Sequence, residues 1–127
     1  MRALVIDDSR TMRRIVSGVL QPLGFETVEA AHGREALDVL ESGTPIDLAC
    51  IDWNMPVMNG LEFVTAVREN REWRDVTLMM VTTESETGQI VKALAAGAHE
   101  YVIKPFTPDA IRDKLQLLGL VPYEEFA

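Results

Sequence analysis

The chain has 127 residues, 47% of them hydrophobic, which suits one domain around one core and leaves little for a second. Its 12 basic residues face 20 acidic ones, and a net charge of −8 argues against nucleic-acid binding, which depends on basic groups neutralising phosphates. No apolar run approaches the roughly 20 residues that cross a bilayer, Met1-Arg2 leads straight into a strand-like run with no signal-peptide layout, and the lone Cys50 sits in an apolar stretch as a core residue; together these predict a cytoplasmic protein.

Strand-like stretches are predicted near residues 2–7, 25–30, 47–52, 76–82 and 99–103, with helical stripes between and after them. After the first strand, Met12, Ile15, Val16, Val19 and Leu20 keep the spacing of one buried helix face. Ala36, Leu37 and Leu40 mark a second helix, and Phe63, Val64 and Val67 a third. Ile90, Val91, Leu94 and Ala98 mark a fourth. Ile111, Leu115 and Leu118 mark a fifth, opened by Thr107 as N-cap and Pro108 at the first helical position. The tail from Pro122 to Phe126 reads as a loosely packed end.

Strict strand–helix alternation predicts a parallel sheet covered on both faces. Strands one, three and four carry continuous apolar runs, so both of their faces should be buried. Strands two and five mix in polar residues, as edge strands do. Edges at two and five give the order 2-1-3-4-5, an α/β flavodoxin-like fold of five βα units over residues 1–127.

In such a sheet, residues just past the C-terminal strand ends meet at one rim, where ligands bind beside the reversal of strand order. Those residues are Asp7 and Asp8, Asp52, Thr82 and Thr83, and Lys104 and Pro105. Each alone has an ordinary structural use as a cap, turn former or strand residue. Three carboxylates brought together repel one another unless a cation neutralises them. Oxygen ligands without histidine or cysteine select Mg²⁺, with Mn²⁺ as the alternative. A carboxylate there can act as a nucleophile. A lysine and a threonine hydroxyl can hold further phosphoryl oxygens.

These residues resemble the response-regulator receiver family, and within it the stand-alone regulators of chemotaxis. The resemblance runs from Val5-Ile-Asp-Asp-Ser9 to about Leu118. It rests on the Asp7-Asp8 pair, Thr11-Met-Arg-Arg-Ile-Val16, Asp52-Trp-Asn-Met-Pro56 with Asn59-Gly60, Thr82, and Lys104-Pro-Phe-Thr107. It implies that Asp52 is the phosphoacceptor and that Asp8 and Asp52 ligate Mg²⁺ directly. Asp7 would act through water and Asn54 through its backbone carbonyl. Lys104 would pair with the phosphoryl group ahead of a cis bond to Pro105. Thr82 and Tyr101 would be the residues that shift, and Trp53 and Glu84 would line the acceptor. The implied partners are a histidine kinase of the chemotaxis type and a flagellar motor switch protein or other target. The target would read the face made by the fourth helix, fifth strand and fifth helix of a monomer.

Some positions are read as structural. Thr83 stands where alanine is common in the family and narrows access to the acceptor. His32 reads as a loop or cap residue, His99 as structural or solvated, Met55 and Met58 as packing, and Lys114 as a solvated helix lysine, with a place on the partner face as the alternative. Other readings of the site are a receiver in a relay outside chemotaxis, a Mg²⁺-dependent phosphatase and a flavin carrier. The phosphatase pattern places its nucleophile after strand one with a second aspartate two residues on, unlike the adjacent Asp7-Asp8 here. The loop after strand one has two negative charges and no glycine, which is hostile to a flavin phosphate.

Overall fold

The structure is a computed structural model that describes residues 1–83 and 87–122, without the side chain of Thr87. Glu84 and the tail beyond Pro122 lie outside the described residues. Among the described residues, five strands, β1 (Arg2–Ile6), β2 (Glu26–Ala30), β3 (Leu48–Asp52), β4 (Thr77–Thr83) and β5 (Glu100–Lys104), alternate with five α-helices. The helices are α1 (Arg10–Leu20), α2 (Gly33–Glu41), α3 (Gly60–Glu69), α4 (Thr87–Ala96) and α5 (Pro108–Leu117). The strands form one parallel sheet in the order β2-β1-β3-β4-β5, as the edge and interior compositions predict.

Pleating sends alternate residues of a strand to opposite faces, so an apolar strand feeds two cores. Leu4, Ile6, Ala49, Ile51, Leu78 and Met80 enter the core shared with α2, α3 and α4, around the fully buried Phe63. Ala3, Val5, Leu48, Cys50, Met79 and Val81 enter the other, against Val16, Leu20, Ile111 and Leu115 of α1 and α5. Edge strand β2 keeps only Ala30 buried and β5 only Val102. Burial pushes the Cys50 thiol up to about 12, which makes it an inert packing group.

Two helical stripes face differently from their sequence spacing. Ile15 is 47% exposed, because the inner side of α1 is Val16, Ser17 and Leu20. At about 100° per residue, Ile15 falls on the far side of the helix from that arc. In α4 the inward residues are Ile90 and Ala93, and Val91 stands 70% exposed with Leu94 at its flank, 39% exposed. Each helix covers the sheet with one arc, and an apolar residue beyond the arc stays in water.

The caps follow local chemistry. Ser9, His32, Asn59 and Thr107 each accept a backbone N–H of the helix they open. His32 does so through Nδ1, which bears out its reading as a cap residue. Asn59 and Glu62 exchange two hydrogen bonds as a capping box. Met55 is buried and Met58 packs on the core, where its side chain fills the space beside Gly33.

Candidate functional site

The C-terminal ends of β1 and β3 lie side by side, with Ile6 opposite Ile51, and this register brings the next residues of each strand together. Carboxylate oxygens of Asp7, Asp8 and Asp52 lie within 4.8 Å of one another. Asp7 and Asp52 are buried and Asp8 is exposed, so the cluster is walled on one side and open to solvent on the other.

The loop after β1 is set by Asp7. Its Oδ1 accepts the Ser9 N–H at 2.8 Å, which turns the chain into α1, and its own N–H donates to Ala30 O on β2. Arg13 on the first turns of α1 donates to the Asp7 carbonyl at 2.7 Å and pairs with Glu29 on β2 at 3.1 Å. These bonds leave Asp7 Oδ2 for the site.

Lys104 ends β5 and reaches across the rim. Its Nζ is 3.1 Å from Asp7 Oδ2 and 3.3 Å from Asp52 Oδ1. Burial lowers the Lys104 ammonium's affinity for its proton, but Asp52 and Asp7 more than offset that, so it titrates above the ordinary lysine range and stays charged. Asp52 is pushed up to about 6, first by burial and then by the negative charge of Asp7, with Lys104 opposing. One ammonium is too little for three carboxylates. An all-oxygen donor set still crowded at one lysine fits a hard divalent cation, which would relieve the remaining repulsion.

Thr82 is buried on β4 one residue past Val81, the partner of Asp52 in the sheet. Thr83 is paired with Lys104 across the β4–β5 ladder and is exposed. The Lys104–Pro105 peptide bond is cis, as the resemblance implies. Trp53 is buried behind Asp52, and Asn54 is exposed in the loop that follows. Gly60 closes that loop: its N–H donates to Trp53 O at 2.9 Å, and a Cβ on it would come 2.7 Å from the Asp52 carbonyl oxygen.

Tyr101, one strand residue earlier on the opposite side from Val102, is half-buried against the core that holds Phe63. Lys114 on α5 is no solvated lysine. Its Nζ bonds Glu100 Oε1 at 2.9 Å and lies 4.8 Å from the centre of the Tyr101 ring, so it ties α5 to β5. An isolated lysine in a helix gives no sign of this, because its partner lies 14 residues away on another element.

Arg68 near the end of α3 is also absent from the sequence reading. It donates to the carbonyls of Gly97, Trp73, Arg74 and Val76 at 2.7–3.3 Å. Arginine near a helix C-terminus is the one signal that could have found it.

Comparison with known proteins agrees with this geometry. The profile described as "Response regulator receiver domain" matches residues 3–116. A "Chemotaxis protein CheY homolog" of Campylobacter jejuni is 46% identical over 117 residues, which is 91% of this chain and 90% of that protein. "Chemotaxis protein CheY1" of Helicobacter pylori is 43% identical over 119 residues, covering 93% and 96%. The solved structure of Vibrio cholerae chemotaxis protein CheY4 superposes with a TM-score of 0.82 at 39% identity, covering 91% of this chain and 96% of that one. A family-wide match over the same residues that build the acidic rim leaves one assignment: this chain belongs to the response regulator receiver family, and it is a signalling domain of the CheY kind.

Proposed function

We propose that Asp52 accepts a phosphoryl group from a phosphohistidine of a partner kinase, and that the phosphorylated rim changes which proteins the chain binds. The observation that carries this reading is the meeting of Asp7, Asp8 and Asp52 within 4.8 Å with the Lys104 ammonium between two of them. The chain's own part in the transfer is positioning and charge. An Asp52 carboxylate Oδ attacks phosphorus in line with the P–N bond, and as that bond breaks the kinase's phosphohistidine ring, already protonated on its other nitrogen, keeps the bonding pair and leaves as neutral imidazole. Lys104 moves its hydrogen bond from Asp52 to a phosphoryl oxygen, and Thr82 offers a hydroxyl to another. Asp7, Asp8, Asp52 and the carbonyl of Asn54 would hold Mg²⁺, which supplies neutralisation of the phosphoryl oxygens when bound.

Readout follows from Thr82 and Tyr101 on neighbouring strands. A shift of the Thr82 hydroxyl toward the phosphoryl group changes the space available to the Tyr101 ring, and so the face formed by α4, β5 and α5. The exposed Val91 and Leu94 on α4 give that face an apolar element to bury in a partner. The curated relatives are chemotaxis proteins, which favours a chemotaxis kinase as donor and the flagellar motor switch as target, in the cytoplasm.

Labelling with a radioactive small phosphodonor and Mg²⁺ tests the reading. Label should be stoichiometric, acid-stable and hydroxylamine-sensitive, and Asp52→Asn should lose it. Label that persists in the variant would put the acceptor elsewhere, and steady turnover of bulk phosphate ester would make the chain a phosphatase. Retention of motor components by the phosphorylated chain distinguishes chemotaxis from another relay.

A further inference from the structure

At the end of the sheet away from the acidic rim, His99 links three elements. Its N–H donates to Leu78 O at 2.8 Å, and its ring Nδ1 accepts the Leu78 N–H at 3.1 Å. Both backbone groups of one β4 residue are therefore satisfied by one residue ahead of β5. Arg68 Nη2 on α3 is 3.3 Å from the same Nδ1, while Arg68 Nε holds Gly97 O at 3.0 Å. Gly97 is the turn that ends α4, at φ +121°, and a Cβ there would meet the Arg68 side chain at 2.6 Å. The guanidinium and the imidazole together fasten the α4–β5 junction to α3 and to the start of β4.

This arrangement requires the neutral ring with its hydrogen on Nε2. A second proton goes to Nδ1, which then becomes a donor facing the Leu78 N–H and the Arg68 guanidinium. We infer that His99 is a pH-sensitive tether: neutral, it holds the α4–β5 junction in place, and protonated, it releases that junction from β4 and α3.

The charges around it have one sense. From α3 the facing group is the Arg68 guanidinium, from β4 it is the uncharged main chain of Leu78, and from the end of α4 it is the Gly97 carbonyl. Glu100, next in the chain, is held by Lys114 of α5 and by the Tyr101 N–H. Burial first, then the positive charge of Arg68, holds the His99 imidazole below the ordinary histidine range. The tether is thus set at neutral pH and yields only below the ordinary histidine range. It does not depend on what occupies the acidic rim.

Amide hydrogen exchange resolved by NMR tests the inference between pH 7.5 and pH 5. The protection factor of the Leu78 amide, corrected for intrinsic exchange, should fall at least tenfold on acidification relative to those of central β3 amides, which report the change in global stability. His99→Asn places a non-titrating acceptor in the same position and should make Leu78 protection independent of pH. In the unmodified chain, the His99 ring protons should titrate below the ordinary histidine range, in step with the Leu78 amide shift. Leu78 protection that does not change with pH, an equal acid loss in His99→Asn, or a His99 ring that titrates at or above the ordinary range would each overturn it.

Discussion

At the scale of single residues, Asp52 is placed against its own charge. Its carboxyl titrates near 6 in the folded chain against about 3.8 when free, because burial and Asp7 outweigh Lys104. Well below pH 4 the group is protonated in both states and costs nothing. As pH rises through 4 to 6 the unfolded state ionises first, so stability falls, and the full penalty remains above pH 6. Asp52→Asn should therefore be more stable than the parent at pH 7 in chelator, on the order of 2 kcal/mol, with most of that gain lost at pH 4. Urea midpoints at the two pH values measure this, and equal differences at both would remove the electrostatic account.

Val57, in the loop after Asp52, carries a different kind of strain. It is a β-branched residue at φ +68°, 75% exposed, with Met58 N–H donating back to Pro56 O at 2.7 Å in a three-residue turn. Val57→Gly should raise stability by about 1 kcal/mol, the strain relieved less the greater unfolded entropy of glycine. A lower midpoint in the variant would mean that the turn is not strained. Nothing about a valine in sequence announces a positive φ, since that angle is imposed by the closing of the loop.

At the scale of elements, the start of α3 and the end of β3 act as one unit. The Asn59–Glu62 capping box fixes the helix start, and the Gly60 N–H pins it to Trp53 O. Gly60→Ala would press a methyl against the Asp52 carbonyl, which is backbone and cannot rotate away. The expected cost is about 1–3 kcal/mol, with a weaker affinity for Mg²⁺ as the Asp52 end of the strand moves. Calorimetry with and without Mg²⁺ checks both, and an unchanged Mg²⁺ affinity would show that the loop adjusts without moving Asp52. The Asn59-Gly60 pair was legible in sequence as part of a motif. Its reason was not, because the close approach is between a helix start and a strand end eight residues apart.

At the scale of the whole molecule, the sheet order does the assembling. Mg²⁺ binding only to the folded chain should raise the melting temperature at pH 7, and less at pH 4, where Asp52 is protonated and repulsion is already relieved. Millimolar Mg²⁺ with no shift at pH 7 would count against the rim as a cation site. By itself, the sequence determined the five strands, their order and the residues that gather at one rim. Those depend on local periodicity and on how much of each strand is apolar, and both are written residue by residue. Only the tertiary structure decided which side of α1 and α4 turns inward, so that Ile15 and Val91 face water. It alone joined Arg68 to His99 and Lys114 to Glu100 and Tyr101. Contacts between side chains 14 or 31 residues apart depend on where whole elements pack, and no local pattern in the chain encodes that.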